Sequence, residues 1–340
     1  MTNNIAIAGC GNVGTALLEI LNSKSAELRE KYGFEFKVVL INDLMKGVIA
    51  DPAGLDLAAV TEALHTKHSL ADFPQAEGSF EELLDLSGAT VLAECTPTNV
   101  KTGEPGLSHI KAALSRGINV TTTNKGPIAV AFDELKTLAA ECGAKLSYEG
   151  VVMSGTPLIS MLEDGMAGCS VLAVEGILNG TTNYILTKMA EGKSYSEALA
   201  EATALGYAEA DPSGDVEGWD AAAKVAILAR LLFNESIAVS EVEREGITKV
   251  TEAELLTAAE KGNVIKLIAG LKKEENQIKA FVKPMELPRS NPLASIGGAV
   301  NAATVITDHL GAVTLTGPGA GRTETGQALL GDIIRMSFKK

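Results

Sequence analysis

The chain has 340 residues, 46% of them hydrophobic and 21% charged, with a formal net charge of −14. That length exceeds what one core comfortably supports, so two domains are expected, and the composition excludes a disordered chain. The acidic balance argues against nucleic acid or an anionic membrane as a partner.

Four cysteines, Cys10, Cys95, Cys142 and Cys169, show no CxxC and no metal spacing. Three of them sit among apolar or small residues and read as buried thiols, the usage of a reducing compartment. The N-terminus has no basic region ahead of its apolar run, and every apolar run breaks well before the length of a membrane span. A cytoplasmic protein is expected.

Asn4–Ala8 reads as a buried strand, followed at once by Gly9-Cys10-Gly11-Asn12-Val13-Gly14 and an apolar helix running to about Tyr32. Strand, GxGxxG and helix in that order form the dinucleotide fingerprint. Gly9 permits a tight turn, Gly11 lets a pyrophosphate approach the backbone, and Gly14 lets helix and strand pack closely. The helix N-terminus offers N–H groups to the phosphates. A second strand, Phe34–Ile41, ends at Asn42 and Asp43. An acid there accepts from the ribose 2′-hydroxyl and disfavours a 2′-phosphate, so Asp43 leans toward NAD, though it could be only a turn residue. Lys46, close by, could instead meet a phosphate of NADP.

Gly47–Asp56 reads as a loop into a helix near Leu57–His65, with His65 and His68 as surface residues lacking partners. Then come a short helix at Phe80–Leu86, a strand at Thr90–Glu94 leading to Thr96, and a helix after Pro105. A strand at Gly117–Thr121 leads to Asn124-Lys125, a helix spans about Val130–Cys142, and a strand at Ala144–Tyr148 ends at Glu149. Such alternation means right-handed βαβ units and a parallel sheet. Ligands bind outside the carboxyl ends of those strands, so Gly9–Gly14, Thr96, Lys125 and Glu149 should line one crevice. Lys125 also reads as a capping or solvated lysine.

After Glu149 the rhythm changes. Helices are expected at Gly155–Met166, from Gly180, and at Ser194–Leu205, with a strand between at Ser170–Leu178. The stretch Gly206–Lys224 gathers Glu209, Asp211, Asp215, Asp220 and Lys224. Asp220 and Lys224, four apart, share a face of a helix running to about Phe233, and Glu209 could fold back beside them. That grouping suits a ligand with an amino group and a reacting oxygen. The plainer reading is a helix ion pair with solvated acids around it. Strands follow at Ile265–Leu271, Ile278–Pro284, Ala302–Leu310 and Ala312–Thr316. A second glycine loop, Gly317–Gly321, opens a last helix from about Thr323 to Met336; it could face the cofactor or simply be a flexible helix entry. The fold class is therefore α/β: a Rossmann-type parallel-sheet domain plus a second α/β domain with a mixed sheet. The boundaries read as 1–149, 150–316, and 317–340 returning to the first domain.

With Asn124-Lys125, Glu149-Gly150-Val151-Val152, Leu178-Asn179-Gly180-Thr181-Thr182-Asn183-Tyr184 and the Gly206–Lys224 stretch together, the chain resembles homoserine dehydrogenases over essentially its whole length. It resembles their short form, without an aspartate-kinase or regulatory domain. The resemblance implies an NAD- or NADP-dependent interconversion of L-aspartate 4-semialdehyde and L-homoserine, and a homodimer formed through the catalytic domain. It implies that Lys125 and Lys224 stand near the reacting oxygen. Glu209 would hold the substrate amino group, with Asp215 and Asp220 beside the substrate. Gly9, Gly11, Asn12, Val13, Gly14, Asp43, Thr96, Lys125 and Gly321 would contact the cofactor. Glu149, Val152, Ser154 and Thr156 match a loop that binds a monovalent cation, Na+ or K+, through backbone carbonyls. Two rivals remain: a dinucleotide-binding sensor without turnover, and a different amino-acid dehydrogenase acting at the amine.

Overall fold

A computed structural model describes residues 2–274 and 277–338. The chain divides into two compact units, one running to Gly155 and resuming at Gly321, the other from Thr156 to Ala320.

The first unit holds β1 (Asn3–Ala8), α1 (Asn12–Tyr32), β2 (Phe36–Asp43), β3 (Gly47–Ala50), α2 (Leu57–Thr66), α3 (Phe80–Ser87), β4 (Val91–Glu94), α4 (Gly106–Leu114), β5 (Asn119–Thr122), α5 (Lys125–Glu141) and β6 (Leu146–Ser147). Its sheet runs β3-β2-β1-β4-β5-β6. All neighbours are parallel except β2 and β3. Alternation along β1 sorts the layers. Ile5 and Ile7 turn to α1 and α2, whereas Ala6 and Ala8 turn to α3, α4 and α5. Each Leu or Ile fully buried this way contributes about 1.5–3 kcal/mol. α1 stops at Gly33, whose φ of 58° is the left-handed cap that glycine adopts without penalty. α3 starts on a capping box between Ser79 and Glu82.

The second unit holds α6 (Leu158–Ser160), β7 (Val171–Ile177), α7 (Gly180–Ala190), α8 (Tyr195–Ala204), α9 (Ser213–Val216), α10 (Trp219–Phe233), β8 (Glu243–Arg244), α11 (Glu252–Glu260), β9 (Asn263–Glu274), β10 (Gln277–Pro288), β11 (Val300–Thr307) and β12 (Gly311–Pro318). Its sheet runs β12-β11-β7-β9-β10-β8, antiparallel except where β8 joins β10. The final helix, α12 (Arg322–Phe338), returns to the first unit, where Leu329, Leu330 and Ile333 join the α1 core.

Three expectations change. Gly47–Ala50 is not loop but β3, pairing back on β2 from Asp43↔Gly47 to Leu40↔Ala50. The Asp43 carboxylate accepts from the Met45 and Lys46 N–H groups and closes a tight turn, so the first sheet carries an antiparallel edge. Gly155–Met166 is not one helix. Pro157 delays the start, and the single turn of α6 widens into a π-helical turn over Met161–Gly165. Of the cysteines only Cys10 is fully buried; Cys95, Cys142 and Cys169 are half-buried, and all four are free.

Candidate active site

The glycine loop is shaped by what each glycine faces. Gly9 has φ +86°, and a Cβ built on it would lie 2.7 Å from the Cys95 carbonyl oxygen. On Gly14 a Cβ would lie 2.2 Å from the Gly9 carbonyl oxygen. On Gly11 it would meet nothing within 4 Å. Two glycines are thus demanded by the protein itself, while the third opens onto free space beside the first turn of α1, which begins with Asn12 and Val13. An open backbone turn at a helix N-terminus is a geometry that can accept a pyrophosphate.

Asp43, at the end of β2, clamps this loop. Its Oδ2 accepts from the Cys10 N–H at 2.7 Å, and the Lys46 Nζ donates to the Cys10 carbonyl at 2.5 Å. Leu44 and Met45, on the turn between them, are 90% and 93% exposed. The Cys10 thiol is pushed up to about 11 by burial, so it is no nucleophile at neutral pH.

The ends of β4 and β5 are tied together. Glu94, fully buried, accepts from the Thr96 N–H at 2.9 Å and from the Thr122 hydroxyl at 2.8 Å. Asn124 caps α5 by accepting from the Gly126 N–H at 3.1 Å, which sets half-buried Lys125 as the first helical residue. After β6, Glu149 is buried. Its N–H donates to Asp332 on α12 at 3.1 Å, and its carboxylate lies 3.4 Å from Arg335. Burial pushes Asp332 up to about 6. Ser154 shares a 2.6 Å hydrogen bond with Thr325, and the Thr156 hydroxyl donates to the Pro318 carbonyl at 2.9 Å. The side chains of Glu149, Ser154 and Thr156 in the expected cation loop are thus each engaged with other groups of the protein. Met153 and Ser154 both have positive φ, 61° and 53°. Such strain costs roughly 1–3 kcal/mol per residue and persists only where its surroundings impose it.

In the second unit, Lys224 is 6% exposed, and its Nζ donates to the Leu178 carbonyl at 2.6 Å and to Asp220 Oδ2 at 2.7 Å. The Asn179 amide joins both acids, donating to Asp215 at 2.7 Å and to Asp220 at 3.0 Å. The Asn179 Oδ1 also caps α7 by accepting from the Thr182 N–H at 2.9 Å. Burial raises the Asp215 carboxyl above its usual range, with the Asp220 charge adding to it against the Asn179 bond. An ammonium held by a carbonyl and a carboxylate, beside a second carboxyl, can stabilise and protonate a developing alkoxide.

The homoserine dehydrogenase family profile matches residues 157–334, and that of the homoserine dehydrogenase NAD binding domain matches residues 9–149. The NAD(+)-dependent homoserine dehydrogenase of Pseudomonas canavaninivorans is 42% identical over 98% of this chain and 95% of its own length. The chain belongs to the homoserine dehydrogenase family. The homoserine dehydrogenase of Methanocaldococcus jannaschii is 37% identical over 98% of both chains. The solved structure of a hyperthermophilic archaeal homoserine dehydrogenase in complex with NADPH superposes with a TM-score of 0.84, at 36% identity, over all of this chain and 99% of that one. Membership makes the chain an NAD(P)-dependent oxidoreductase acting on a CH–OH group, interconverting L-homoserine and L-aspartate 4-semialdehyde. None of the helices among the described residues is long and apolar enough to cross a membrane.

Of the residues expected at a homoserine dehydrogenase site, the structure joins Asp215, Asp220 and Lys224 in one hydrogen-bonded group. It leaves Glu209 exposed on the loop before α9. Gly321, at φ +141°, precedes α12 and accepts from the Thr325 N–H at 3.1 Å. Sequence reasoning gave no role to Asn179, Glu94, Asp332 or Asn301. Asn179 stood within a motif, and Glu94 is an acid ending an apolar strand, which was a readable signal. Nothing marked Asn301, whose buried amide makes no hydrogen bond among the described residues. Gly319 lies against it so closely that a Cβ there would sit 1.9 Å from the Asn301 Cγ. His65, expected without a partner, pairs with Glu19, which also takes Arg322.

Proposed function

We propose that Lys224 is the proton donor to the aldehyde oxygen when aspartate semialdehyde is reduced, and takes the proton back when homoserine is oxidised. The observation that carries this is the burial of its ammonium between Leu178 and Asp220. Bound NAD(P) supplies or accepts the hydride. Gly9, Gly11, Asn12, Val13 and Gly14 cradle its pyrophosphate, with Thr96, Lys125 and Gly321 as further contacts. Asp220 orients Lys224, Asp215 and Glu209 take the substrate ammonium, and family resemblance supports a role for Lys125 in polarising the aldehyde. A monovalent cation would be held by the backbone carbonyls of Glu149, Val152, Ser154 and Thr156.

NAD is the preferred cofactor in this reading. This is supported by the position of Asp43 at the end of β2, where an acid accepts from the ribose, and by Lys46, which donates to the Cys10 carbonyl. The name of the Pseudomonas relative fits the same choice. The four free thiols fit a cytoplasmic enzyme. A homodimer through the second unit is supported by the eight-residue edge strand β12, a row of backbone groups open to pairing. Sedimentation at micromolar concentration should give twice the 35.3 kDa chain mass, and a species of single-chain mass alone would refute the dimer.

Two lysine variants test the chemistry. Lys224→Ala should lower kcat roughly 10²–10⁴-fold with little change in cofactor Kd, whereas Lys125→Ala should weaken both. Full kcat in the Lys224→Ala enzyme would reduce Asp220 and Lys224 to a structural ion pair with no part in the chemistry.

A further inference from the structure

In a doubly wound sheet the dinucleotide lies across the point where strand order reverses, one mononucleotide on each side. Here that point falls between β1 and β4. Asp43 stands at the end of β2, on the side of the glycine loop that takes the adenosine. The ends of β4 and β5 take the nicotinamide half. At the end of β4 stands Glu94, wholly buried.

Glu94 is surrounded by neutral donors. The Thr96 N–H donates to Oε1 at 2.9 Å, and the Thr96 hydroxyl reaches the same oxygen. The Thr122 hydroxyl donates to Oε2 at 2.8 Å, and the Asn124 amide adds a further bond. The polar knot is closed from the α4 side by Gly106. A Cβ there would lie 3.0 Å from the Glu94 carboxyl carbon and 2.6 Å from the Asn124 Nδ2. Since a backbone N–H can only donate, Oε1 is fixed as an acceptor. Burial raises the acid's affinity for a proton, and the surrounding donors oppose that shift without cancelling it, so a nearby positive charge would favour the ionised form. No cationic group is among the partners of Glu94 in the described residues. A buried carboxylate without a counter-charge is costly, and its natural complement is a positive charge delivered by a ligand.

We propose that Glu94 is a positioning residue that also sets the redox preference of the bound cofactor. Its carboxylate holds Thr96, Thr122 and Asn124 in place. Its charge favours the cationic oxidised nicotinamide over the neutral reduced ring. The inference rests on the reading of Gly9–Gly14 as the cofactor cradle.

Calorimetric titration of NAD+ and of NADH onto the wild-type enzyme, Glu94→Gln and Thr122→Val tests it. Glutamine keeps the shape and removes the charge, so the ratio Kd(NAD+)/Kd(NADH) should rise roughly tenfold. Thr122→Val removes one donor to the charged form, which favours protonation, so the ratio should move in the same direction by less. A merely structural role would weaken both forms alike, or lower Tm, and leave the ratio where it was. An unchanged ratio in Glu94→Gln overturns the proposal; should that variant fail to fold, an unchanged ratio in Thr122→Val does so. A wild-type protein that bound neither form would instead overturn the reading of the cradle.

Discussion

The candidate ligand-binding features within each of the two units are built from different materials. In the first, the surface offered to a ligand is backbone: a glycine that can bear no side chain, an open glycine, and a helix N-terminus. In the second it is side chains, an ammonium and two carboxyls joined by one asparagine amide. A backbone site is written in the sequence as missing side chains at fixed spacing. A side-chain site is written as residue types whose meeting depends on tertiary folding. The first is therefore brittle toward added volume, and the second toward lost charge.

The sharpest way to break this contrast is to add one methyl group to each of two glycines. Gly14→Ala places its Cβ against the Gly9 carbonyl, 2.2 Å away before relaxation, so stability should fall by roughly 1–3 kcal/mol or more. Gly11→Ala meets nothing within 4 Å, so its melting temperature should match the wild type while its affinity for NAD(H) drops. Thermal melts paired with cofactor titration separate the two outcomes. Equal loss of stability in both variants would mean that Gly11 serves packing and not the pyrophosphate.

The same contrast explains what could be read from sequence. The strand-loop-helix at residues 3–32 was legible almost to the residue because a local pattern specifies it. Asp220 and Lys224 were legible as a pair because helical spacing alone brings them together. Asn179 was not legible as their link, since 36 and 41 residues separate it from the acids it joins. β3 was missed because four residues beside a turn read as loop until a neighbouring strand pairs with them. α11 carries a local signal of its own, the capping box of Thr251 and Glu254.

A smaller effect is expected in cofactor choice. If Asp43, at the end of β2, meets the ribose as proposed, and with Lys46 bound to the Cys10 carbonyl, steady-state kinetics should favour NADH over NADPH by about tenfold, near 1.4 kcal/mol. Asp43→Ser should narrow that gap, at some cost to both cofactors because the Cys10 N–H loses its clamp. A tenfold preference for NADPH in the wild type would show that Asp43 serves only to close the turn.

The smallest expected effect sharpens the comparison inside the second unit, where two lysines are buried in different company. Lys224 has Asp220 beside it. Lys266 on β9 donates to the Asn183 Oδ1 at 3.0 Å and to the Ile296 carbonyl at 2.5 Å, both neutral. Asn183 in turn donates to the carbonyls of Gly298 and Val300 at 2.9 and 3.2 Å, so the pair clasps the segment that leads into β11. Burial lowers the Lys266 ammonium to about 8 from its ordinary 10.5. The folded chain therefore holds fewer protons than the unfolded chain between those two values. Stability contributed at this site should rise with pH across that window and be absent below it. Measured against Lys266→Met, which cannot titrate, the wild type should gain about 1 kcal/mol between pH 7 and pH 9. Urea denaturation of both proteins at the two pH values reads this difference directly. A gap that stays constant, or closes as pH rises, would mean that Lys266 keeps its proton when folded, and that its carbonyl partners support a buried charge as well as Asp220 supports Lys224.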